Sequence, residues 1–128
     1  MNYYISTTFE GSFDDAITKV TDELKKEGFG VLTEIDIKET LKKKLDVDFK
    51  KYRILGACNP DFAYQALQKE DKIGTMLPCN VIVVEQDNGS IEISAVNPVA
   101  SMQAVENPEL EEIAQEVTNR MDKVIKNI

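Results

Sequence analysis

Histidine is absent from the 128 residues of this chain, and its absence excludes more chemistry than any residue present suggests. Without an imidazole the protein cannot use Ser-His-Asp or Cys-His nucleophilic catalysis, and it lacks the commonest general acid-base residue. Zinc sites with a histidine ligand are excluded for the same reason. The 23 acidic residues leave carboxylate chemistry open. No catalytic pair stands out among them, so the sequence identifies neither a reaction nor a cofactor.

Long hydrophobic runs are also missing. No apolar stretch approaches the roughly 20 residues that span a bilayer. The first five residues, Met1 to Ile5, have neither the basic start nor the long apolar segment of a secretion signal. We therefore expect a cytoplasmic protein with no membrane partner. In that reducing compartment a standing disulfide between the two cysteines is not expected.

Positive charge is scarce, with 15 basic against 23 acidic residues and a net charge of −8. Because phosphates need a positive field, this balance argues against nucleic acid as a partner. One stretch departs from the trend, since residues 38–53 hold seven basic and three acidic side chains. This stretch is either a local site for an anion or partner, or a solvated helix face followed by the start of a strand. The second interpretation is the simpler one.

The pattern of apolar residues predicts one domain over residues 1–128. Strands are expected over residues 2–9, 29–35, 52–57, 81–85 and 91–96, and helices after Ser12, Asp36, Asn59 and Asn107. A hairpin turn at Asp87-Asn88-Gly89 joins the last two strands. The first and last helices each carry a single apolar stripe, which suits burial on one side. We therefore predict an α+β two-layer sandwich, a mostly antiparallel sheet of about five strands with helices on one face.

The run from Val81 to Glu85 is apolar on both faces of its expected strand. A two-layer fold covers only one face of such a strand with its own helices. A second subunit is the simplest cover for the other face, and two-fold dimers are the commonest oligomers. We therefore expect a homodimer.

Two cysteines lie in nearly matching settings, Ala57-Cys58-Asn59-Pro60 and Leu77-Pro78-Cys79-Asn80. Each Cys-Asn step stands where an apolar strand meets a turn or the start of a helix, with a proline within two residues. Strand ends beside such turns are where functional side chains converge. We call these segments the two Cys-Asn blocks. They are expected to lie together, with both thiols close and reduced.

The blocks also carry a family resemblance. The segments Tyr52-x-Ile54-Leu55-Gly56-Ala57-Cys58-Asn59-Pro60 and Gly74-x-x-Leu77-Pro78-Cys79-Asn80-Val81 resemble the bacterial and archaeal family catalogued as domain of unknown function 302, the TT1751-like fold. Gly28-Phe29-Gly30-Val31-Leu32 is similar as well, so the resemblance covers nearly the whole chain. It implies a two-layer α+β fold, an antiparallel sheet and a dimer. It implies no activity and assigns no catalytic residue.

The cysteines allow a structural and a chemical interpretation. Free cysteine is among the most buried residue types, so both could simply be small core residues. Alternatively, Cys58 and Cys79 form a thiol-redox site or bind a soft metal ion. The start of the helix after Cys58 would favour its thiolate. Two thiols alone cannot complete a tetrahedral zinc site, which would also need a carboxylate, water, substrate or the two cysteines of a second chain. A linear two-thiolate site for a soft monovalent ion needs no further ligand.

Two more interpretations remain open. The blocks could bind a small anionic ligand through backbone amides at the helix start together with Asn59 and Asn80. Lys50, Lys51 or Arg53 would then assist. Otherwise the domain has a structural or protein-interaction role. The sequence thus predicts one candidate site (Cys58, Asn59, Cys79 and Asn80) in a binding module, with a purely structural domain as the alternative.

Overall fold

The computed structural model describes residues 2–128 and contains one five-stranded sheet in which every neighbouring pair of strands is antiparallel. The strands are β1 (Tyr4–Phe9), β2 (Gly30–Asp36), β3 (Tyr52–Cys58), β4 (Cys79–Glu85) and β5 (Ile91–Val96), in the spatial order β1-β5-β4-β3-β2. The helices are α1 (Phe13–Lys26), α2 (Ile37–Leu45), α3 (Pro60–Lys69), α4 (Pro98–Met102) and α5 (Glu111–Lys126). The predicted α+β fold class is confirmed.

Helices α1 and α5 form the main layer on the sheet. The Ser12 hydroxyl accepts a hydrogen bond from the Asp15 backbone N–H at 3.0 Å and so caps the start of α1. Gly28, with a φ of +84°, adopts the left-handed conformation that commonly ends a helix, and it follows α1 directly after Glu27. The apolar stripes of both helices are buried against the sheet, together with the central strands β4 and β5. The core therefore lies between the sheet and one helix layer, as the single stripes predicted.

The hairpin between β4 and β5 forms as expected. The Gln86 backbone N–H donates to the Ser90 carbonyl at 2.8 Å, and Gly89 adopts a positive φ of +85°. The Asn88 side chain accepts from the Ser90 backbone N–H at 3.0 Å. The turn residues Asn88 and Gly89, which the sequence shows directly, therefore set the register of β4 and β5.

The sequence pattern did not predict the segments on either side of this hairpin. A 3₁₀ helix over Asp71–Met76 joins α3 to β4. Pro98 occupies the first position of α4, where its missing N–H leaves no hydrogen bond unmade. Two 3₁₀ turns, Gln103–Val105 and Pro108–Leu110, then lead into α5. The 3₁₀ helix over Asp71–Met76, helix α4 and the turn at Pro108–Leu110 each contribute residues to the candidate site described below.

Helix α2 forms where it was predicted, with the Asp36 carboxylate accepting from the Glu39 backbone N–H at 2.9 Å. None of its residues is buried. Helix α3 also forms, but Leu67, one of its apolar residues, is 44% exposed. Ala66 is the buried residue of that helix. The inward face of α3 is therefore narrower than its apolar residues indicated.

Strand β2 is one edge of the sheet, and its pairing with β3 shifts between Val31 and Thr33. Leu32 is the extra residue in this β-bulge, and it is 68% exposed. No helix among residues 2–128 is both long and apolar enough to cross a membrane. The homodimer stays a prediction.

Candidate functional site

The strand register brings the two Cys-Asn blocks together at one end of neighbouring strands. Ala57 of β3 pairs directly with Cys79 of β4, and Cys58 is the next residue along β3. Both thiols are free. The expectation that the two blocks would meet, although twenty residues lie between the two cysteines, is therefore confirmed, because β3 ends where β4 begins.

The blocks contribute one wall of a cavity of about 50 Å³ between the sheet and the helices, which we call the inner cavity. Helix α3 lines it with Phe62, Ala63 and Ala66, and helix α5 with Ile113, Ala114 and Val117. Asn59 carries the only side-chain nitrogen or oxygen among the described lining residues. The inner cavity is therefore a mainly apolar space whose wall includes two thiols and one amide.

The thiol of Cys79 is electrically neutral at physiological pH. Burial, which is the larger cause, and the electrostatic influence of the neighbouring Cys58 side chain together raise the pKa of Cys79 to about 11. The thiolate is the nucleophilic and metal-binding form of cysteine. The raised pKa of Cys79 therefore disfavours its thiolate at neutral pH.

Asn59 occupies the position before the first residue of α3, but its side chain does not cap the helix. Its side chain makes no hydrogen bond to the first turn of that helix. Instead its Nδ2 donates to the Glu27 carbonyl at 3.3 Å, and the Arg120 Nη1 donates to the same carbonyl at 3.1 Å. The Arg120 guanidinium also lies 5.3 Å from the centroid of the Phe62 ring. This carbonyl thus connects the ends of α1 and β3 to α5, beside the inner cavity.

Replacing Asn59 with alanine should therefore lower the free energy of unfolding by about 1 kcal/mol, through loss of a buried hydrogen bond. Urea denaturation would measure it. Asn80→Ala is the matched control, because Asn80 belongs to the other block and is exposed. That variant should change stability by less than about 0.5 kcal/mol. Equal effects of the two substitutions would contradict the role given to Asn59.

Asn80 is not brought into the inner cavity. It pairs with Gly56 across β3 and β4 and lines a groove on the opposite face of the sheet with Tyr4 and Ile82. Side chains alternate along a strand, so the residue after Cys79 points away from it. Of the four predicted site residues, Cys58, Asn59 and Cys79 lie together and Asn80 is separate.

The basic stretch lies at the other end of β3. Arg53 is five residues before Cys58, or roughly 16 Å along an extended strand. Its guanidinium contacts Glu34 at 2.6 Å and Asp36 at 3.4 Å. The idea that Lys50, Lys51 or Arg53 assists a ligand at the Cys-Asn blocks is therefore wrong, because the strand separates the two ends.

Among residues 2–128 no group of three or more cysteine, aspartate or glutamate side chains is arranged to hold a metal ion. Cys58 and Cys79 thus have no carboxylate beside them that could complete a higher-coordinate site. The two-thiol site for a soft metal ion stays a prediction.

Sequence reasoning missed much of the cavity wall. Leu110, Ile113, Ala114 and Val117 were visible as an apolar stripe, but that stripe predicted only packing against the sheet. Met102 also lines the cavity, from the end of α4. Nothing in the sequence around Met102 signals this position, because α4 is a single short turn after a proline. The cavity arises from the way these elements meet.

The fold and this site define a small α+β domain with an antiparallel sheet and an apolar cavity beneath its helix layer. The chain belongs to the family described as "Domain of unknown function DUF302", whose model matches residues 5–128. It is similar to the solved structure of an uncharacterized conserved DUF302 protein from Bacillus stearothermophilus, with 27% sequence identity and a TM-score of 0.92. That alignment covers 99% of this chain and 98% of the other. No curated protein matches the chain.

Proposed function

We propose that this DUF302 protein is a binding module for a small apolar molecule, or for the apolar part of a larger one, held in the inner cavity. The observation that carries the proposal is the lining of that cavity. Two Cys-Asn blocks and three helices converge on one space in which a single side chain, among the described lining residues, offers nitrogen or oxygen. Ligand sites in proteins are mostly apolar clefts with few polar groups.

The size of the cavity limits what it can hold. An engineered apolar cavity of about 150 Å³ stays dry and binds benzene or xenon. The inner cavity measures about 50 Å³, so a xenon atom or a short alkyl group fits it better than an aromatic ring does. Water would find only Asn59 as a side-chain partner there, and a buried water needs two to four. An apolar group that enters the inner cavity therefore displaces only empty space or poorly bound water.

The thiols take part as walls under this proposal. A neutral thiol is soft, polarizable and only weakly polar, so it can contact an alkyl group without a large desolvation cost. Thiol-redox chemistry at Cys79 would need its thiolate, which the raised pKa of Cys79 opposes at neutral pH. The neutral form of Cys79 thus supports ligand binding over redox chemistry.

Xenon binding to the native protein tests the proposal directly. Xenon should shift the amide resonances of Ala66, Ala114 and Val117, measured by heteronuclear NMR on labelled protein. The variant Ala66→Val adds two methyl groups at a buried position that lines the cavity. It should abolish those shifts. Gln68→Val, on the exposed side of the same helix, should leave them unchanged.

Two results would overturn the proposal. One is an absence of xenon-dependent shifts at the cavity residues of the native protein, which would make the space a packing void in a structural domain. The other is equal loss of the shifts in Ala66→Val and Gln68→Val, because the exposed substitution cannot fill the cavity. Circular dichroism of both variants establishes that they fold.

A further inference from the structure

We propose that the inner cavity also binds one soft monovalent metal ion of the copper(I) class, held by the sulfurs of Cys58, Cys79 and Met102. The inference goes beyond the proposed function, because it adds a second kind of ligand to the same cavity. It starts from the distribution of sulfur in the molecule. The chain has two cysteines and four methionines, and three of these six residues line this one space of about 50 Å³.

The three sulfur-bearing residues come from three separate elements. Cys58 ends β3, Cys79 begins β4 and Met102 ends α4. The register pairs Ala57 with Cys79, so the two cysteines are diagonal neighbours on adjacent strands. The Cys58 side chain acts electrostatically on Cys79, which indicates that the two thiols lie near each other. Met102 is only partly buried and methionine has three rotatable bonds, so its thioether can adjust to an ion beside the strands.

The donor set determines which metal ion fits the cavity. Thiolate and thioether sulfurs are soft ligands, which select copper(I) over magnesium, calcium and manganese. No aspartate or glutamate is among the described residues of the cavity wall, so a hard ion finds no carboxylate there. A structural zinc site needs four ligands, and three sulfurs fall short of that number. A soft monovalent ion needs only the two thiolates, and Met102 supplies a third soft contact.

The surroundings of the cavity can balance the charge that binding creates. Each bound ion displaces two thiol protons to the solvent, so a monovalent ion between two thiolates leaves one net negative charge. Such a charge in an apolar space needs a positive partner.

Arg120 supplies that positive charge beside the cavity. Its guanidinium lies 5.3 Å from the centroid of the Phe62 ring, which is part of the cavity wall. Its hydrogen bond goes to the neutral Glu27 carbonyl, and it forms no ion pair with any described carboxylate. Helix α3 begins directly after Asn59, whose side chain leaves the first turn uncapped, so the positive end of this helix also lies beside Cys58.

Silver(I) tests the site, because it is soft and monovalent and, unlike copper(I), is stable in air. Native mass spectrometry of the protein titrated with silver nitrate should show one ion per chain and the loss of two protons. Magnesium nitrate should give no complex. The variants Cys58→Ser and Cys79→Ser should each lose the silver complex while circular dichroism shows that they fold.

Matched pairs of variants test the other two residues, with silver affinity measured by competition with glutathione. Met102→Leu keeps the apolar volume and removes the thioether, so the dissociation constant should rise about tenfold. Met121→Leu is its control, since Met121 is buried in α5 outside the described cavity wall, and it should leave the constant unchanged. Arg120→Gln should weaken binding about fivefold. Lys123→Gln removes the same charge from an exposed position of that helix and should weaken binding by less than about twofold.

Several results would overturn the inference. One is binding of two silver ions per chain, with each cysteine holding its own ion. Another is a single ion shared between two chains. Equal effects of Met102→Leu and Met121→Leu would remove the thioether from the site, and equal effects of Arg120→Gln and Lys123→Gln would remove the compensating charge.

Xenon without metal decides the proposed function separately. If xenon shifts the cavity amides and silver forms no single-ion complex, the inference is overturned and the proposed function survives. If silver forms its complex and xenon does not bind, the proposed function fails and the inference stands. Where both bind, silver should abolish the xenon-dependent shift of Ala66, because the ion occupies the same space. A shift that persists in the silver-loaded protein would place the ion outside the cavity and overturn the inference.

Discussion

Replacing Gly56 with alanine is expected to lower the free energy of unfolding by about 3 kcal/mol, because β3 has no room for a side chain at this position. A Cβ added to Gly56 would overlap the Thr33 hydroxyl oxygen from β2 and would lie 2.7 Å from the Pro78 Cγ beside β4. The backbone of Gly56 is not in a left-handed conformation. The cost is therefore steric, and it arises where three strands support the Cys-Asn blocks.

Gly30→Ala is the matched control for this prediction. Gly30 also lies in the sheet, but an added Cβ would have no heavy atom within 4 Å. Its replacement should leave stability unchanged or raise it by up to about 1 kcal/mol, because alanine restricts the unfolded chain. Urea denaturation followed by circular dichroism measures both variants. Removing the Thr33 hydroxyl as well, in Thr33→Ala/Gly56→Ala, should restore part of the loss. Equal stability of the two glycine variants would contradict the steric argument.

The second large effect concerns pH. Cys79 has a pKa of about 11 in the folded protein, against an ordinary value of 9.0. Below pH 9 the thiol is protonated in both the folded and the unfolded chain, so its full contribution to stability is present. Between pH 9 and pH 11 the unfolded chain releases the proton and the folded protein retains it. Stability should therefore fall by about 1.4 kcal/mol per pH unit across this window, or by 2 to 3 kcal/mol in total.

The comparison with Cys79→Ala isolates this contribution, because lysines and tyrosines that titrate in the same range are common to both proteins. Unfolding free energies of the two proteins, measured by urea denaturation from pH 7 to pH 11, should differ by a constant amount up to about pH 9. Above that pH the native protein should lose its advantage over the variant. Parallel curves up to pH 11 would show that burial does not hold the Cys79 proton.

Much of the fold could be predicted because local signals and long-range packing agree. Ser12 caps α1 and Asp36 caps α2 as their residue types indicated, and β5 has the predicted bounds. The single apolar stripe of α5 implied a helix layer on one face of a sheet, and α5 packs there. These features depend on residues close together in the chain or on the helical spacing of apolar residues, so they can be predicted from a single sequence.

The site was predictable only in part. Cys58 and Cys79 could be expected to meet, because each ends or begins a strand beside a proline. The partner of Asn59 could not be predicted, since the Glu27 carbonyl lies 32 residues away and its position depends on where α1 ends. Asn80 and Cys79 lie on opposite faces of the sheet because successive side chains of a strand alternate. This could be inferred only once Cys79 was known to be the first residue of β4. The cavity depends on volumes between packed elements, which no local pattern encodes.

The bulge at Leu32 has a consequence for aggregation. Both outer strands of the sheet, β1 and β2, have an edge that could add a strand from another chain and start a growing β-assembly. An extra residue in β2 breaks the regular spacing of hydrogen-bonding groups along that edge and increases its local twist. The exposed Glu34 carboxylate lies two residues further on. A second chain therefore meets an irregular, charged edge at β2, which protects an otherwise regular antiparallel sheet from uncontrolled extension on that side.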